Sequence, residues 1–459
     1  MEDKIKKMHQ PNRQMNMLSG PMLNNIILFA LPIALSSTLQ QLFNAVGVAV
    51  VGRFASSEAL AAVGGNTPII TLMINLFTGI SVGINAVLAN YIGQRRSEEK
   101  IQDVVHTAVT LALIAGIVIL ILGEAIAAPI LRLMQTPEEV LPLASLYLRI
   151  FLIGLPFLTL YDFGSAILRS VGDTRRPLYA LLISEVVNIG LTLLLVIVFQ
   201  MSVAGVAIAT VVANAISAGI VFFFLIKEQM PIRVSLKKIG LRGEEVGRIL
   251  RIGVPAGLQG VVFSLSNVTI QSGINSFGAM AIAGSSAAQN FEFFCYFLIS
   301  GFAQAAVTFT SQNYGAMQFD RCKKAFRLCM ICGVLACGGL SMLFIIGRVF
   351  FVQLYTVDPA VIEFAYQRMF HVLIFQMLCC TYEIGGSALR GLGRSMLPAV
   401  LTVLGTCVLR IIWIYTVFPI FGTFTSLMNV YPISWIITGS CVLAAYFIIR
   451  RKIFRQIVV

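Results

Sequence analysis

The feature that most limits how this chain can fold is a succession of apolar stretches of about 20 residues or more, the length of helix that crosses roughly 30 Å of hydrocarbon. Hydrophobic residues make up 58% of the 459-residue sequence and charged residues only 12%. A soluble protein needs more polar residues than this to cover its surface. In lipid each span must satisfy its own backbone hydrogen bonds, which a helix does. The sequence therefore predicts an all-α integral membrane protein.

Apolar runs and the breaks between them predict twelve transmembrane helices. The predicted spans are 25–51, 59–92, 102–131, 140–166, 177–199, 203–226, 245–273, 279–311, 325–350, 360–388, 397–420 and 430–449. Lys and Arg fall almost entirely on alternate connections. Because basic loops remain in the cytoplasm, we expect a multi-pass protein of the plasma (inner) membrane with both termini cytoplasmic. The net charge of +13 then reflects topology, and no nucleic-acid partner is expected.

The second half of the sequence repeats landmarks of the first. Three landmarks return: LRSVGDTRRP (168–177) as LRGLGRSMLP (389–398), ALPIAL around Pro32 as GVPAGL around Pro255, and NYIG (90–93) as NYG (313–315). The offsets, 221 residues for the first and 223 for the second, are nearly constant, which indicates duplication of a six-span unit. An even number of spans gives both copies the same orientation, with a site between or within the lobes.

The duplication also predicts the domain organisation. We expect a six-helix lobe over residues 1–230, a cytoplasmic linker over 231–244 and a second six-helix lobe over 245–459. The sequence contains no GxxxxGK[ST] phosphate-binding loop, so an ATP-driven pump is disfavoured. It contains three scattered histidines and no HExxH motif, so an enzyme is disfavoured and no metal site is predicted.

The predicted fifth span carries polar residues within LISEVVNIGLTLLL (182–195). Glu185, Asn188 and Thr192 lie three and four residues apart and share one helix face. Neighbouring spans offer three more oxygen-bearing side chains: Gln40, Asn44 and Thr210. Such oxygens suit a hard monovalent cation, and the carboxylate alone suits a proton. The alternative is hydrogen bonding that only holds the helices together.

Three further ionisable residues are expected at membrane depth, where they are costly and need partners. Asp162 and Glu383 occupy equivalent places in the two repeats, each seven residues before the arginine of the LR motif, Arg169 or Arg390. We count Asp162 among the coupling residues. Glu383 and Arg410 lie at similar distances from a turn centred near residue 397, so they are predicted to pair, either as a static structural pair or as a switchable element.

A substrate cavity is expected to be lined by five residues of the seventh and eighth spans: Phe263, Asn267, Gln289, Phe293 and Tyr296. Large flexible and aromatic side chains form adaptable apolar surfaces for bulky ligands. The predicted partners are a small-molecule substrate and membrane lipids. No cofactor is predicted beyond a coupling ion, H⁺ or Na⁺.

Six stretches along the chain are typical of a known family: PIALSSTLQQLFNAVGVAVVGRF, ANYIGQ, AILRSVGDTRRPLYALLISEVVNIGLT, SQNYGA, GSALRGLGRSMLP and CVLRIIWIYTVFP. Through them the chain resembles, across most of its length, the multidrug and toxic compound extrusion (MATE) family. The resemblance implies a V-shaped pair of six-helix bundles with a large central cavity. It also implies efflux of organic cations or amphipathic compounds in exchange for Na⁺ or H⁺ by alternating access, and we expect a monomer.

The sequence departs from the family pattern at the first-lobe cation site. Gly47 and Thr192 stand where many members have aspartates, and Phe263 stands where some have an acid on the seventh span. Asn188 and Thr210 match the pattern. We therefore hypothesise that Glu185, one turn before Asn188, is the principal proton or cation site, with Glu383 and Arg410 the charged element of the second lobe.

The alternative function is a lipid-linked saccharide flippase or polysaccharide exporter of the same superfamily. Such a protein needs a cavity suited to pyrophosphate or acidic sugars. Few cationic side chains are predicted at membrane depth, namely Arg149, Arg368 and Arg410. That scarcity favours a neutral or cationic cargo and an exporter of drugs or metabolites.

Overall fold

The computed structural model describes residues 15–228 and 231–458 of the chain, with side chains described as far as Arg455, and all regular secondary structure within them is helical. Eleven helical segments among these residues are individually long and apolar enough to cross a membrane, and two helices that meet at a bend of 44° supply a twelfth span. The prediction of twelve transmembrane helices is confirmed.

The first lobe contains seven α-helices that form six spans. They are α1 (Met22–Phe54), α2 (Ser57–Gly93), α3 (Glu98–Leu133), α4 (Leu141–Ile153), α5 (Leu155–Ser170), α6 (Arg175–Leu193), which continues as a π-helical turn at Leu194–Val198, and α7 (Ser202–Lys227). The bend between α4 and α5 falls at Gly154, two residues before Pro156. Because proline has no N–H to continue the hydrogen-bond ladder, the fourth span breaks there.

The second lobe also forms six spans, but more of them are interrupted. After a 3₁₀ turn at Leu236–Lys238, the helices are α8 (Gly243–Asn275), α9 (Ala279–Gly315), α10 (Phe319–Ile346), α11 (Arg348–Gln353), α12 (Pro359–His371), a 3₁₀ segment at Leu373–Leu378, α13 (Cys379–Gly391), α14 (Met396–Thr402), a π-helical segment at Val403–Val408, α15 (Leu409–Thr416), α16 (Phe418–Phe421), α17 (Phe424–Met428) and α18 (Val430–Val458). The predicted ninth span, 325–350, runs past the end of α10, because apolar residues resume at Val349 after Gly347 and Arg348 and hydropathy does not register the break.

Both ends of the described chain lie at the same end of the molecule, which we call the basic end. Five connections define it: 94–97, 171–174, 228–242, 316–318 and 392–395. The linker packs on α3 here, where His106 Nε2 accepts a hydrogen bond from the Ser235 amide at 3.0 Å and Lys238 donates to Gln102 at 3.1 Å. We call the opposite end of the bundle the far end.

The two lobes touch through α2, which packs against α8 and α9 of the second lobe. At Gly79 an added Cβ would lie 2.1 Å from the backbone nitrogen of Gly257, and at Gly93 it would lie 2.0 Å from the carbonyl oxygen of Gln312. No side chain fits at such distances, so glycine is required for these backbones to approach. The hydrogen bonds from α2 to the second lobe begin at Asn75, in the middle of the helix, and continue to its basic end.

Towards the far end the lobes separate. No residue of α1 from Leu35 to Ala49 is buried, over about four helical turns, so this half of the helix is covered far less than the basic half. The basic half of α1 behaves differently, because Ile26, Phe29 and Ala30 belong to the hydrophobic core of the second lobe. The molecule is thus sealed at the basic end and splayed at the far end.

Candidate functional site

The polar residues of the fifth span form a chain along one face of α6. Asn188 Nδ2 donates to Glu185 Oε2 at 3.1 Å, and Thr192 Oγ1 lies 3.5 Å from Asn188 Oδ1, at the limit of a hydrogen bond. Glu185 and Asn188 are half-buried and Thr192 is buried. The structure therefore brings together the three residues that sequence spacing placed on one face.

The other predicted first-lobe residues do not join this chain. Gln40 and Asn44 are exposed on α1, and none of the hydrogen bonds of the described residues links them to α6. Thr210 instead donates to the carbonyl oxygen of Val206 on its own helix at 2.9 Å. A Cβ at Gly47 would face Val206 on α7 at 4.0 Å, so this position points into the lobe and has room for a side chain.

Asp162 approaches the same region from α5. Its neighbour Tyr161 interacts electrostatically with both Asp162 and Glu185, and the tyrosine hydroxyl donates to the carbonyl oxygen of Pro177 at 3.2 Å. Asp162 is half-buried and accepts no hydrogen bond within the part of the chain that the structure describes. The first lobe therefore holds two carboxylates near one tyrosine; neither forms an ion pair within the described residues, although Arg169 interacts electrostatically with Asp162.

The predicted pair of Glu383 and Arg410 is wrong for this structure. Glu383 accepts a hydrogen bond from the Tyr296 hydroxyl at 3.1 Å, and no ion pair among the described residues joins it to Arg410. The turn between their helices spans 392–395 and is not centred at 397. Glu383 thus lies nine residues before the turn and Arg410 fifteen after it, a difference in depth of about 9 Å at 1.5 Å per residue.

Arg410 is fully buried in a neutral environment. Its Nη1 donates to Asn267 Oδ1 at 3.1 Å and its Nε lies 3.4 Å from Ser434 Oγ. The guanidinium carbon lies 4.5 Å from the ring centroid of Tyr431 and 5.3 Å from that of Phe263, within the range of cation–π attraction. Nη2 has no hydrogen-bond partner among the described residues.

The strongest buried ion pair of the second lobe joins Glu292 on α9 to Arg368 on α12. Arg368 donates through Nε and Nη2 to the two carboxylate oxygens at 2.6 and 2.8 Å, and through Nη1 to Ser285 Oγ at 2.6 Å. Sequence reasoning did not identify Glu292 as a site residue. The sequence feature that could have identified Glu292 is a lone glutamate in the middle of the eighth apolar span. The same kind of feature identified Glu185 in the fifth span.

The five predicted cavity residues do not form one surface. Phe263 and Asn267 on α8 contact Arg410, whereas Tyr296 on α9 binds Glu383. Phe293 is exposed and stacks on Phe297, with ring centroids 6.3 Å apart. Gln289 is half-buried. The structure therefore assigns three of these residues to charged groups of the second lobe.

Fold and site together define a multi-pass membrane protein of two repeated lobes, closed at one end, with carboxylates in the interior. The MatE family model matches residues 32–194 and 255–416, one match in each lobe, and the starts of the matches are 223 residues apart, which agrees with the repeat offset. The chain belongs to the MatE family.

Two curated relatives illustrate the breadth of the similarity. The chain is 28% identical over 383 residues to the probable multidrug resistance protein YoeA of Bacillus subtilis (strain 168), covering 82% of each chain. It is 23% identical over 437 residues to the multidrug export protein MepA of Staphylococcus aureus (strain NCTC 8325 / PS 47), covering 94% of each chain.

Solved structures share the whole fold. One, described as the outward-facing conformation of a multidrug resistance MATE family transporter of the MOP superfamily, has a TM-score of 0.88 at 22% identity and covers 98% of this chain and 99% of that chain. A second, a crystal structure of MATE in complex with MaL6, has a TM-score of 0.89 at 21% identity and covers 96% and 98%. The predicted two-lobe, twelve-helix fold is confirmed.

Proposed function

We propose that the protein exports cationic or amphipathic small molecules by alternating access, as a monomer in the plasma membrane with its basic end in the cytoplasm. The observation that carries the proposal is the asymmetric contact between the lobes, sealed from the middle of α2 to the basic end and open at the far end. A cleft with this shape releases cargo on the far side. Membership of the MatE family and the names of the relatives support export of drugs.

The cargo class follows from the charges in the bundle. Two of the three cationic side chains expected at membrane depth already have acidic partners, since Arg368 pairs with Glu292 and Arg149 lies 3.8 Å from Glu124. Within the described part of the chain, Asp162 and Glu185 are interior carboxylates that form no ion pair. This balance favours neutral or cationic cargo over the pyrophosphates and acidic sugars of a lipid-linked saccharide flippase.

We propose a proton at Glu185 as the coupling ion. Asn188 presents its N–H group to the Glu185 carboxylate. A Na⁺ ion held by both side chains requires the amide to turn so that its oxygen faces the glutamate, whereas a proton on the carboxylate requires no such turn. A carboxylate with one neutral hydrogen-bond donor and no ion pair can gain or lose a proton without breaking a salt bridge.

The test is substrate-driven proton flux in proteoliposomes with Glu185→Gln, while pH and Na⁺ gradients are imposed separately. We expect the variant to lose transport driven by the pH gradient and to retain substrate binding. Glu124→Gln is a matched control, because Glu124 is also an acid of a transmembrane helix but pairs with Arg149 outside the α6 chain. Unchanged coupling in Glu185→Gln, or wild-type transport that follows only the Na⁺ gradient, contradicts the proposal.

A further inference from the structure

A cavity lies at the basic end, where the two lobes meet. Its volume is about 320 Å³, at the lower end of the range for small-molecule sites. The first lobe supplies Tyr91 and Arg96, and the second lobe supplies Arg248, Arg251, Tyr314 and Arg390. The cavity therefore exists in this form only while the basic ends of the lobes are together.

The lining carries four arginines and no carboxylate among the described residues. Two of the arginines face an acid just outside the wall. Arg248 forms an ion pair with Glu244, and Arg96 interacts electrostatically with Glu245, whose carboxylate accepts the Tyr91 hydroxyl at 2.8 Å. These two positive charges are largely offset.

The other two arginines have no carboxylate within ion-pair distance among the described residues, although Arg390 interacts electrostatically with Glu383, which lies deeper in the second lobe. Arg251 is exposed, and its guanidinium forms no hydrogen bond or ion pair within the described side chains. Arg390 is only 7% exposed, and its hydrogen bonds go to the neutral groups of Gln259 at 2.7 Å and Ser387 at 3.4 Å. Its Nε is buried without a hydrogen-bond partner. A buried N–H of this kind is costly unless a ligand satisfies it.

The internal repeat accounts for the two tyrosines of this cavity but not for all of its arginines. Tyr91 and Tyr314 are equivalent residues of the NYIG and NYG landmarks, so duplication alone explains the two aromatic walls. Arg248 and Arg251, by contrast, correspond to Asn25 and Leu28 at the offset of 223. These two charges are thus particular to the second lobe, whereas Arg390 has a repeat equivalent in Arg169 of the first lobe.

Closure of the basic end brings like charges together. Arg96 of the first lobe and Arg248 of the second approach the same Tyr91 ring, 4.2 and 5.4 Å from its centroid. Arginine pairs with phosphate through bidentate, charge-assisted hydrogen bonds. A phosphate monoester carries a charge of about −1.5 to −2 at neutral pH, which suits a cavity lined by four arginines and no described carboxylate.

We propose that this cavity binds a phosphate monoester, either a soluble one or a lipid headgroup, and that the bound anion holds the basic ends of the two lobes together. The ligand bridges Arg251 and Arg390, and Arg96 adds a contact from the first lobe. A ligand that binds only the closed arrangement stabilises it in proportion to its occupancy. The consequence for transport, slower opening at the basic end, rests on the proposed alternating-access function, whereas the binding itself does not.

Binding is tested on the full chain in nanodiscs of neutral lipid, at constant ionic strength, with phenyl phosphate as the soluble probe. We expect phenyl phosphate to raise the Tm of the wild type and Arg251→Gln to weaken its Kd at least tenfold. Arg175→Gln is the matched control, because Arg175 is an exposed arginine of the same end that does not line this cavity, and it should leave the Kd unchanged. Arg96→Gln provides a second test from the other lobe.

The lipid source is distinguished by nanodiscs that contain phosphatidic acid. If phenyl phosphate has no effect but phosphatidic acid raises the Tm, and Arg251→Gln abolishes the increase, the site takes a lipid headgroup. Absence of both effects overturns the proposal, as do equal losses in Arg251→Gln and Arg175→Gln. These measurements use no transported substrate, so failure of the proposed efflux function leaves their outcome unaffected.

Discussion

The two lobes place their interior acids in different surroundings although their helices correspond along the sequence. In the first lobe Glu185 is half-buried and accepts one hydrogen bond from a neutral amide. In the second lobe the side chain of Glu292 is 10% exposed and is held at both oxygens by Arg368. At the offsets of the internal repeat, Glu292 and Arg368 correspond to Ile69 and Tyr147, which are both buried.

This difference indicates which acids can change protonation without breaking an ion pair. A carboxylate paired with a buried guanidinium is poorly suited to ion coupling. Its protonation would leave the arginine without a counter-charge in a poorly hydrated interior. A half-buried carboxylate with a neutral partner has no such constraint. The second lobe thus uses its central acid to hold α9 to α12, whereas Glu185 and Asp162 of the first lobe form no ion pair within the described residues.

The largest effect is expected when the buried ion pair of Glu292 and Arg368 is broken. Glu292→Gln leaves Arg368 buried without its counter-charge, and loss of one partner of a buried ion pair costs about 3–5 kcal/mol. Glu185→Gln, which removes no ion pair, should cost less than about 1 kcal/mol. The measurement is thermal unfolding of both variants in the same detergent. Equal destabilisation by the two substitutions would show that the lobes do not differ in this way.

A smaller loss of stability is expected when the hydrogen bond to Glu383 is removed. This prediction compares Glu383 with its repeat equivalent, Asp162. Tyr296 donates to Glu383 at 3.1 Å, and its counterpart at the offset of 223 is Met73, which has no hydroxyl to donate to Asp162. Hydrogen bonds to charged groups contribute about 1.5–3 kcal/mol, so Tyr296→Phe should destabilise the protein by about that amount.

The control for this prediction is Tyr161→Phe in the first lobe. Tyr161 donates to the neutral carbonyl oxygen of Pro177, and a neutral hydrogen bond contributes about 1 kcal/mol. Both variants are compared by denaturation in one detergent. A larger loss in Tyr161→Phe than in Tyr296→Phe would contradict an ionised Glu383 stabilised by its tyrosine.

The sequence predicted features that depend on neighbours along the chain. Apolar length predicted the spans, and spacing of three and four residues predicted contact among Glu185, Asn188 and Thr192, since both are properties of a single helix. The pairing of Glu383 with Arg410 depended on where a turn falls and on how two helices are rotated. In the structure the turn lies a few residues earlier than predicted, which changes the relative depth of the two residues. A π-helical segment just before Arg410 changes the direction in which its side chain points. The partner of Glu292 lies 76 residues away, beyond any local pattern.

The smallest expected effect concerns the hydroxyl of Thr192. Its distance of 3.5 Å from Asn188 Oδ1 makes a weak hydrogen bond, and valine has nearly the same shape, so Thr192→Val should cost about 0.5 kcal/mol or less. If Glu185 binds only a proton, the Thr192 oxygen is not a ligand, and the variant should keep proton-coupled transport within about twofold of the wild type.

Asn188→Leu is the matched comparison for Thr192→Val, because it removes the one hydrogen-bond donor to Glu185 among the described residues and should change the pH dependence of transport. A Na⁺ site has a different requirement. It needs several oxygen ligands at once, so loss of the threonine oxygen would then weaken coupling as strongly as Glu185→Gln. Transport rates of the three variants under separate pH and Na⁺ gradients therefore decide whether the first lobe holds a single titrating carboxylate or a cation cage built around it.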